Sequence, residues 1–393
     1  MIGKAYNLAW AYAEAMRNAA AHWRKQGLLT LAQQQAIEAA YPLDYYRPVI
    51  FVRVMLFIFT LIAGFTAAAT VGGLVRFNFL GISLLSAAGC LFVLEASIKS
   101  SRLYRSGPDN ALLYMGLGWL VALLVYVVDA GLPALHRSFS LANPYLPLVL
   151  VPTLALLVAA TIRYADRLVA AAAYLTYLLL LTNLLLQVSI GRLLLPFALM
   201  LASVAAYGIV RKLARRADYL YYKPSFDWLK ALTLITFYLG GNYLIVREGN
   251  ALLADAPVST QIPFAPLFYL FTAAIPLIYV AVGLRRADRI WLLMGLLTAG
   301  FSCYTLRFYR SVLPPEVAAT LAGAVLILLA VCGFRYLRKP RHGLTAAAEE
   351  KEPPLLNLES LIVAQTAHAA TPEPAGFEFG GGHSGGGGAE GRY

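Results

Sequence analysis

Leu284-Arg285-Arg286-Ala287-Asp288-Arg289-Ile290 joins two long apolar runs. A turn this short with three arginines, set between runs of about twenty apolar residues, reads as a cytoplasmic hairpin between two membrane-spanning helices. The phrase recurs upstream as Arg163-Tyr164-Ala165-Asp166-Arg167 and Arg215-Arg216-Ala217-Asp218-Tyr219, each at the same kind of boundary. Arginine anchors the outgoing helix at the inner headgroups, and the aspartate is predicted to cap the helix that follows. An internal duplication of two-span hairpins is the alternative, which the unequal separations neither establish nor exclude.

Composition agrees with a bilayer protein. Of 393 residues, 60% are hydrophobic and 13% charged, and mean hydropathy is +0.66, far above ordinary soluble proteins. The net charge of +12 does not point to nucleic acid, because the basic residues are scattered between apolar runs rather than gathered on one face. Cys90, Cys303 and Cys332 all fall inside such runs without partners at ligand spacing, which disfavours disulfides and zinc. Residues 1 to 48 contain Arg17, Arg24, Lys25 and Glu38 where a signal peptide needs an apolar core, so the first span is expected to act as an uncleaved insertion signal.

The predicted fold class is all-α, a polytopic transmembrane helix bundle of about ten spans with both termini cytoplasmic. Residues 1–48 form a cytosolic helical hairpin. Its first helix covers 4 to 26, and its second, opened by the capping-box pair Thr30 and Gln33, runs from Leu31 to about Ala40. The hairpin is read as a cytosolic packing or docking element, or else as an amphipathic pair on the headgroups. Residues 49–334 hold the spans, at 49–71, 78–98, 111–128, 145–162, 168–187, 193–210, 228–246, 264–284, 290–309 and 317–334. Each is long enough to cross roughly 30 Å of hydrocarbon at about 1.5 Å per residue. Charges fall at the span ends, including a predicted i,i+4 pair of Glu95 with Lys99, and no aspartate is expected in a span interior. With the amino terminus inside, Arg76, Arg137, Arg192, Arg247, Arg307 and Arg310 lie outside, which leaves 26 of the 32 Lys and Arg within. The reverse orientation violates the positive-inside rule. Residues 335–393 form a cytosolic tail expected to be disordered, with a short amphipathic segment at 355–367 and a glycine-rich end at 380–393.

Motifs for chemistry are absent. There is no HExxH and no GxxxxGK[ST], and His22, His136, His342, His368 and His383 all lie outside the spans. No catalytic residue, metal ligand or cofactor is assigned. Two polar constellations remain. Asn183 and Gln187 share a face of the fifth span, with Thr176 on a similar side, and are read as helix-to-helix glue or a substrate pathway. On the outer side, Asn242, Arg247 and Glu248 face Arg307 and Arg310. These hold an anionic headgroup or carboxylate, or else snorkel to lipid phosphate and pair with Glu248 and Glu316. Gly240 and Gly241 let another backbone approach closely or let the helix open.

Two stretches carry a resemblance. Trp23, Gly27, Leu28, Leu29 and Gln34, ahead of many spans, resemble an uncharacterised bacterial family of polytopic membrane proteins with a short amino-terminal helical domain. The end FGGGHSGGGGAEGRY, Phe379 to Tyr393, is similar to the glycine-rich tails of bacterial membrane proteins that include those with a TPM domain. Neither resemblance implies an activity. The leading expectation is an interaction or scaffold protein of the bacterial inner membrane, in contact with the lipid bilayer, whose hairpin and tail capture a protein partner. The alternative is a small-molecule or lipid transporter with five spans in each half, although no half-helix break is visible. The third is an enzyme acting on a lipid-linked anionic substrate at the outer face.

Overall fold

The computed structural model describes residues 3–131 and 140–309, with isolated helical positions between Val317 and Arg335. Among the described residues there are twelve α-helices and no strand; a single parallel bridge joins Tyr46 to Leu103. A two-helix hairpin, α1 (Leu8–Lys25) and α2 (Leu31–Ala40), precedes the bundle. Asn7 caps α1 through Ala9 N at 3.0 Å, and the predicted capping box of Thr30 and Gln33 opens α2.

The bundle follows as α3 (Ile50–Leu74), α4 (Phe79–Ser100), α5 (Pro108–Gly131), α6 (Pro147–Tyr164), α7 (Arg167–Leu186), α8 (Gly191–Leu213), α9 (Tyr219–Gly241), α10 (Tyr243–Leu253), α11 (Ala265–Arg286) and α12 (Arg289–Tyr309). Eight of these are individually long and apolar enough to cross a membrane, and α9 with α10 passes the same test as a pair bent by 75°, the geometry of a broken span or a re-entrant loop. Large apolar side chains point outward on every side, with Phe59 at 69%, Phe92 at 75%, Leu201 at 70% and Leu277 at 69% exposure. Water would not tolerate so continuous an apolar surface. Lipid would, and the chain is an integral, multi-pass membrane protein.

Several expectations change. The third span starts at Pro108, so Asp109 lies in its first turn, and α9 starts at Tyr219, so Asp227 also lies within a helix. Expecting no aspartate in the spans was therefore too strict, although both stand toward the same end of the bundle as the hairpin. Glu95 is bonded not by Lys99 but by Arg163 Nε at 2.7 Å and by the Tyr164 hydroxyl at 2.5 Å, both from α6. The seventh span is not one helix. It breaks at Asn242, the half-helix break that hydropathy does not register. The tenth span at 317–334, apart from isolated positions, and the tail at 335–393 lie outside the described residues, as does Arg310.

The Arg-x-Ala-Asp turns divide two to one. Ala165 and Ala287 both end their helices in left-handed conformation, at φ 48° and 49°, and the next residue caps the following helix. Asp166 accepts from Leu168 N at 2.8 Å and Val169 N at 3.0 Å, and Asp288 accepts from Ile290 N at 3.1 Å. Asp218 makes no such cap. It pairs with Lys4 at 2.9 Å, which holds its carboxyl below the usual carboxylate range.

α9 is the hub. It touches α1, α7, α8, α10, α11 and α12. At its start, Tyr221, Tyr222 and Ser225 donate hydroxyl hydrogen bonds to the carbonyls of Arg163, Ile162 and Ala165, occupying the open end of α6. The same end of α6 receives the amino terminus, since Ala5 N donates to Arg163 O at 2.9 Å. Tyr6, Tyr104, Tyr164 and Tyr221 form the buried centre of this face. The hairpin is thus fastened to the bundle rather than hung from it.

Candidate functional site

The break in the seventh span lies well inside the bundle. The Tyr243 amide donates to Thr272 Oγ1 at 3.0 Å, and Thr272 is seven residues into α11, or about 10 Å of helix. Breaking a helix there exposes amides and carbonyls that hydrocarbon cannot satisfy. The freed amides of Tyr243, Leu244 and Ile245 are satisfied by side chains. Asn242, fully buried, turns its Oδ1 onto Leu244 N at 3.1 Å and Ile245 N at 3.2 Å, capping α10.

The other half of the same carboxamide ties the break to α12. Asn242 Nδ2 donates to Tyr238 Oη at 2.8 Å and to Thr305 Oγ1 at 3.0 Å. Tyr238 and Ser302 share a hydrogen bond of 2.7 Å, and Ser302 Oγ lies 2.6 Å from the Thr272 carbonyl. The result is a buried chain of neutral groups running from α9 through α12 to α11. Sequence reading found Asn242 alone. Thr298, Ser302 and Thr305 at steps of four and three mark one polar face of α12, and that spacing was the missed signal.

Two glycines let the neighbours close on the break. A Cβ at Gly240 would stand 3.0 Å from the Pro196 carbonyl oxygen and 2.9 Å from Met200 of α8; one at Gly241 would meet Ile275 of α11 at 2.8 Å. Both expected uses of the glycine pair, close approach and an opened helix, occur at adjacent residues.

Beyond the break, Arg247 does not reach out to solvent. Its guanidinium lies 4.6 Å from the centre of the Tyr309 ring and donates to the Ser259 carbonyl at 2.9 Å and the Tyr243 hydroxyl at 3.3 Å. Glu248 accepts from the Tyr309 hydroxyl at 2.5 Å. Tyr243 stacks on Tyr269 with centroids 4.1 Å apart. These contacts bind α10 to the loop before α11 and to the end of α12. Asn242, Arg247 and Glu248 are therefore brought together through Tyr243 and Tyr309. Arg307 is half-buried on α12 nearby in sequence to Tyr309, and Arg310 lies outside the described residues.

Asn183 is fully buried and works as a cross-link. Its Nδ2 donates to the Leu141 and Asn143 carbonyls at 2.7 and 2.9 Å, and Gln187 Nε2 donates to its Oδ1 at 2.9 Å. The pair fastens α7 to the segment that enters α6. Thr176 donates instead to Ala172 O within its own helix.

Beside the break lies a cavity of about 720 Å³, walled by α7, α8, α9, α10 and the approach to α11. Neither Asn183 nor Arg247 lines it, although their neighbours Thr182 and Val246 do. Its walls are leucines and phenylalanines, with Thr182 and Thr236 inside and Ser189, Arg192 and Asn250 toward one end. Among the described residues no group of three His, Cys, Asp or Glu comes together to hold a metal ion. Among the described residues neither the buried hydroxyl chain nor the cavity pairs a nucleophile with a base. What the arrangement offers is a jointed helix next to a space of ligand size.

No protein-family model matches the chain, no curated protein matches it, and no solved structure matches it.

Proposed function

We propose that this protein is a membrane transporter for a small amphipathic molecule or lipid, with the cavity between α7 and α10 as its binding site and Asn242 as its joint. The observation that carries the reading is the 75° break beside that cavity. A helix interrupted inside hydrocarbon is costly unless it lines a cavity or serves a moving part. Here the freed amides at the start of α10 are repartnered by neutral side chains, whose hydrogen bonds exchange without moving charge. Opposite the hinge, the fastened hairpin and the tyrosine-capped end of α6 form a fixed frame. On this reading α10, the Ser259 loop and the start of α11 move as one piece against that frame.

The amino-terminal hairpin, similar through Trp23, Gly27 and Gln34 to the uncharacterised family, acts as a brace rather than a partner-docking element. We read this face as cytoplasmic in a bacterial inner membrane, an orientation that the positive-inside rule supports. The test is transfer of labelled lipids between leaflets of proteoliposomes. A lysophospholipid, a monoacylglycerol and a diacyl phospholipid, each with a quenchable headgroup label, are compared in vesicles with and without protein. At least one is expected to cross faster with the protein, and less so with Asn242→Ala. Equal rates for all three with and without protein would contradict the reading.

A further inference from the structure

The cavity beside the break has an unequal distribution of chemistry. Along α7 it is lined from Thr182 back to Leu175, seven residues or about 10 Å of helix, and beyond the end of that helix by Ser189. Over that depth it meets Leu178, Leu179 and Leu239, broken only by the hydroxyls of Thr182 and Thr236. The polar side chains capable of multiple hydrogen bonds stand together at the other end. Arg192, in the first turn of α8, is the only charged residue among the described residues lining the cavity, which Ser189 and Asn250 also line. Arg192 makes no hydrogen bond or ion pair among the described residues.

We infer that this cavity binds a single-chain anionic lipid, headgroup on Arg192 and acyl chain in the leucine-lined slot toward Leu175. The inference rests on the transport reading for its site but names the substrate class independently of whether movement follows. Three features select this occupant. The slot is apolar and long, which suits an unbranched chain. The polar end carries one unpaired guanidinium whose forked donors match a phosphate or carboxylate. The amino-terminal end of the α8 dipole adds positive potential at the same place. An uncharged amphiphile would leave Arg192 without a counter-charge, and a polar solute would leave the leucines unused.

Photo-crosslinking of the full-length protein in nanodiscs of zwitterionic lipid tests this directly. The probes are lysophosphatidate with a diazirine in its chain and the monoacylglycerol with the same chain, which lacks only the phosphate. Adducts are mapped by mass spectrometry, and the lipid-facing Leu201 and Val204 report background labelling. The phosphate-bearing probe is expected to label the segments around Leu178 and Leu239 about tenfold more than the uncharged one, the scale of one strong charge-assisted contact. Arg192→Gln is expected to abolish that preference while background labelling at Leu201 is unchanged. Leu179→Trp, which fills the slot without touching the charge, is expected to remove cavity adducts of both probes.

Equal labelling by the two probes, or a preference that survives Arg192→Gln, would overturn the inference. Adducts confined to Leu201 and Val204 would do so as well. The two readings fail separately. Arg192-dependent labelling without leaflet transfer sinks transport and keeps the binding site; transfer of a probe that ignores Arg192 keeps transport and sinks the anionic lipid.

Discussion

The Tyr6 hydroxyl donates to Asp109 Oδ2 at 2.7 Å across 103 residues of chain, joining the amino terminus to the first turn of α5. Asp109 is fully buried and also accepts from the amides of Arg105 at 2.7 Å, Ser106 at 2.9 Å and Gly107 at 3.1 Å. Tyr6→Phe removes one of these bonds and leaves the others. A bond to a charged acceptor contributes about 1.5–3 kcal/mol. Faster hydrogen exchange confined to the first turns of α1 is expected, with the bundle amides unchanged.

The same contact sets a pH window. Burial, then the neighbouring Asp109, push the Tyr6 phenol well above its ordinary value of 10.0. A raised folded value stabilises docking below the unfolded value and loses that contribution as pH rises past it. Asp218 is held low by Lys4, so its contribution is present above the ordinary carboxylate range and is lost as pH falls. That pair is partly exposed, so its effect is small. Protease release of the amino-terminal segment is expected to stay flat through neutral pH, to rise strongly above about pH 10, and to rise weakly in acid.

The three aspartates of the recurring turns are expected to differ. Asp166→Ala and Asp288→Ala each remove a helix cap worth about 1 kcal/mol. Asp166 also accepts from Asn110 at 3.0 Å and Tyr114 at 2.9 Å, and Asp288 also pairs with Lys230, so both are expected to cost more than the cap alone. Asp218→Ala removes no cap and is expected to shift the melting temperature least. Thermal melts of the three variants in one detergent read the order.

At the hinge, Asn242→Leu strands the amides of Leu244 and Ile245 in the bundle interior. Each unsatisfied buried group costs about 1–3 kcal/mol. Ser302→Ala removes only one link of the chain and is expected to cost less than Asn242→Leu. Denaturant unfolding of both variants checks the ranking.

Much of the architecture was legible in the sequence, because span length and hydropathy are local properties. The boundaries of α4, α7 and α12 lie within a few residues of those predicted. The break at Asn242 was not legible, because Leu239 through Val246 reads as one continuous apolar run around a single asparagine. The amide freed there, that of Tyr243, finds its acceptor at Thr272, thirty residues beyond Asn242. Arg247 and Glu248 were recognised as a pair of interest, but their partners Ser259, Tyr243 and Tyr309 come from three different segments, and no spacing rule links them. Arg192 was counted only as an outer charge. Its importance appears once the leucines of α7 and the side of α9 that carries Thr236 and Leu239 are seen to border a space beside it.

Topology has its own check. Val258 and Ala287 are exposed and flank opposite ends of α11. A cysteine at 258 is expected to react with an impermeant thiol reagent added to intact cells, and one at 287 only after lysis. The opposite pattern would move the hairpin face to the exterior.

The most direct measurement is the distance between spin labels at Leu252 on α10 and Leu296 on α12, both exposed, in a variant with Cys90, Cys303 and Cys332 replaced by serine. With α10 pivoting about Asn242, two distance populations are expected in nanodiscs, and lysophosphatidate is expected to shift their ratio. A single distance, unchanged by the lipid and by Asn242→Ala, would contradict a moving joint in the seventh span.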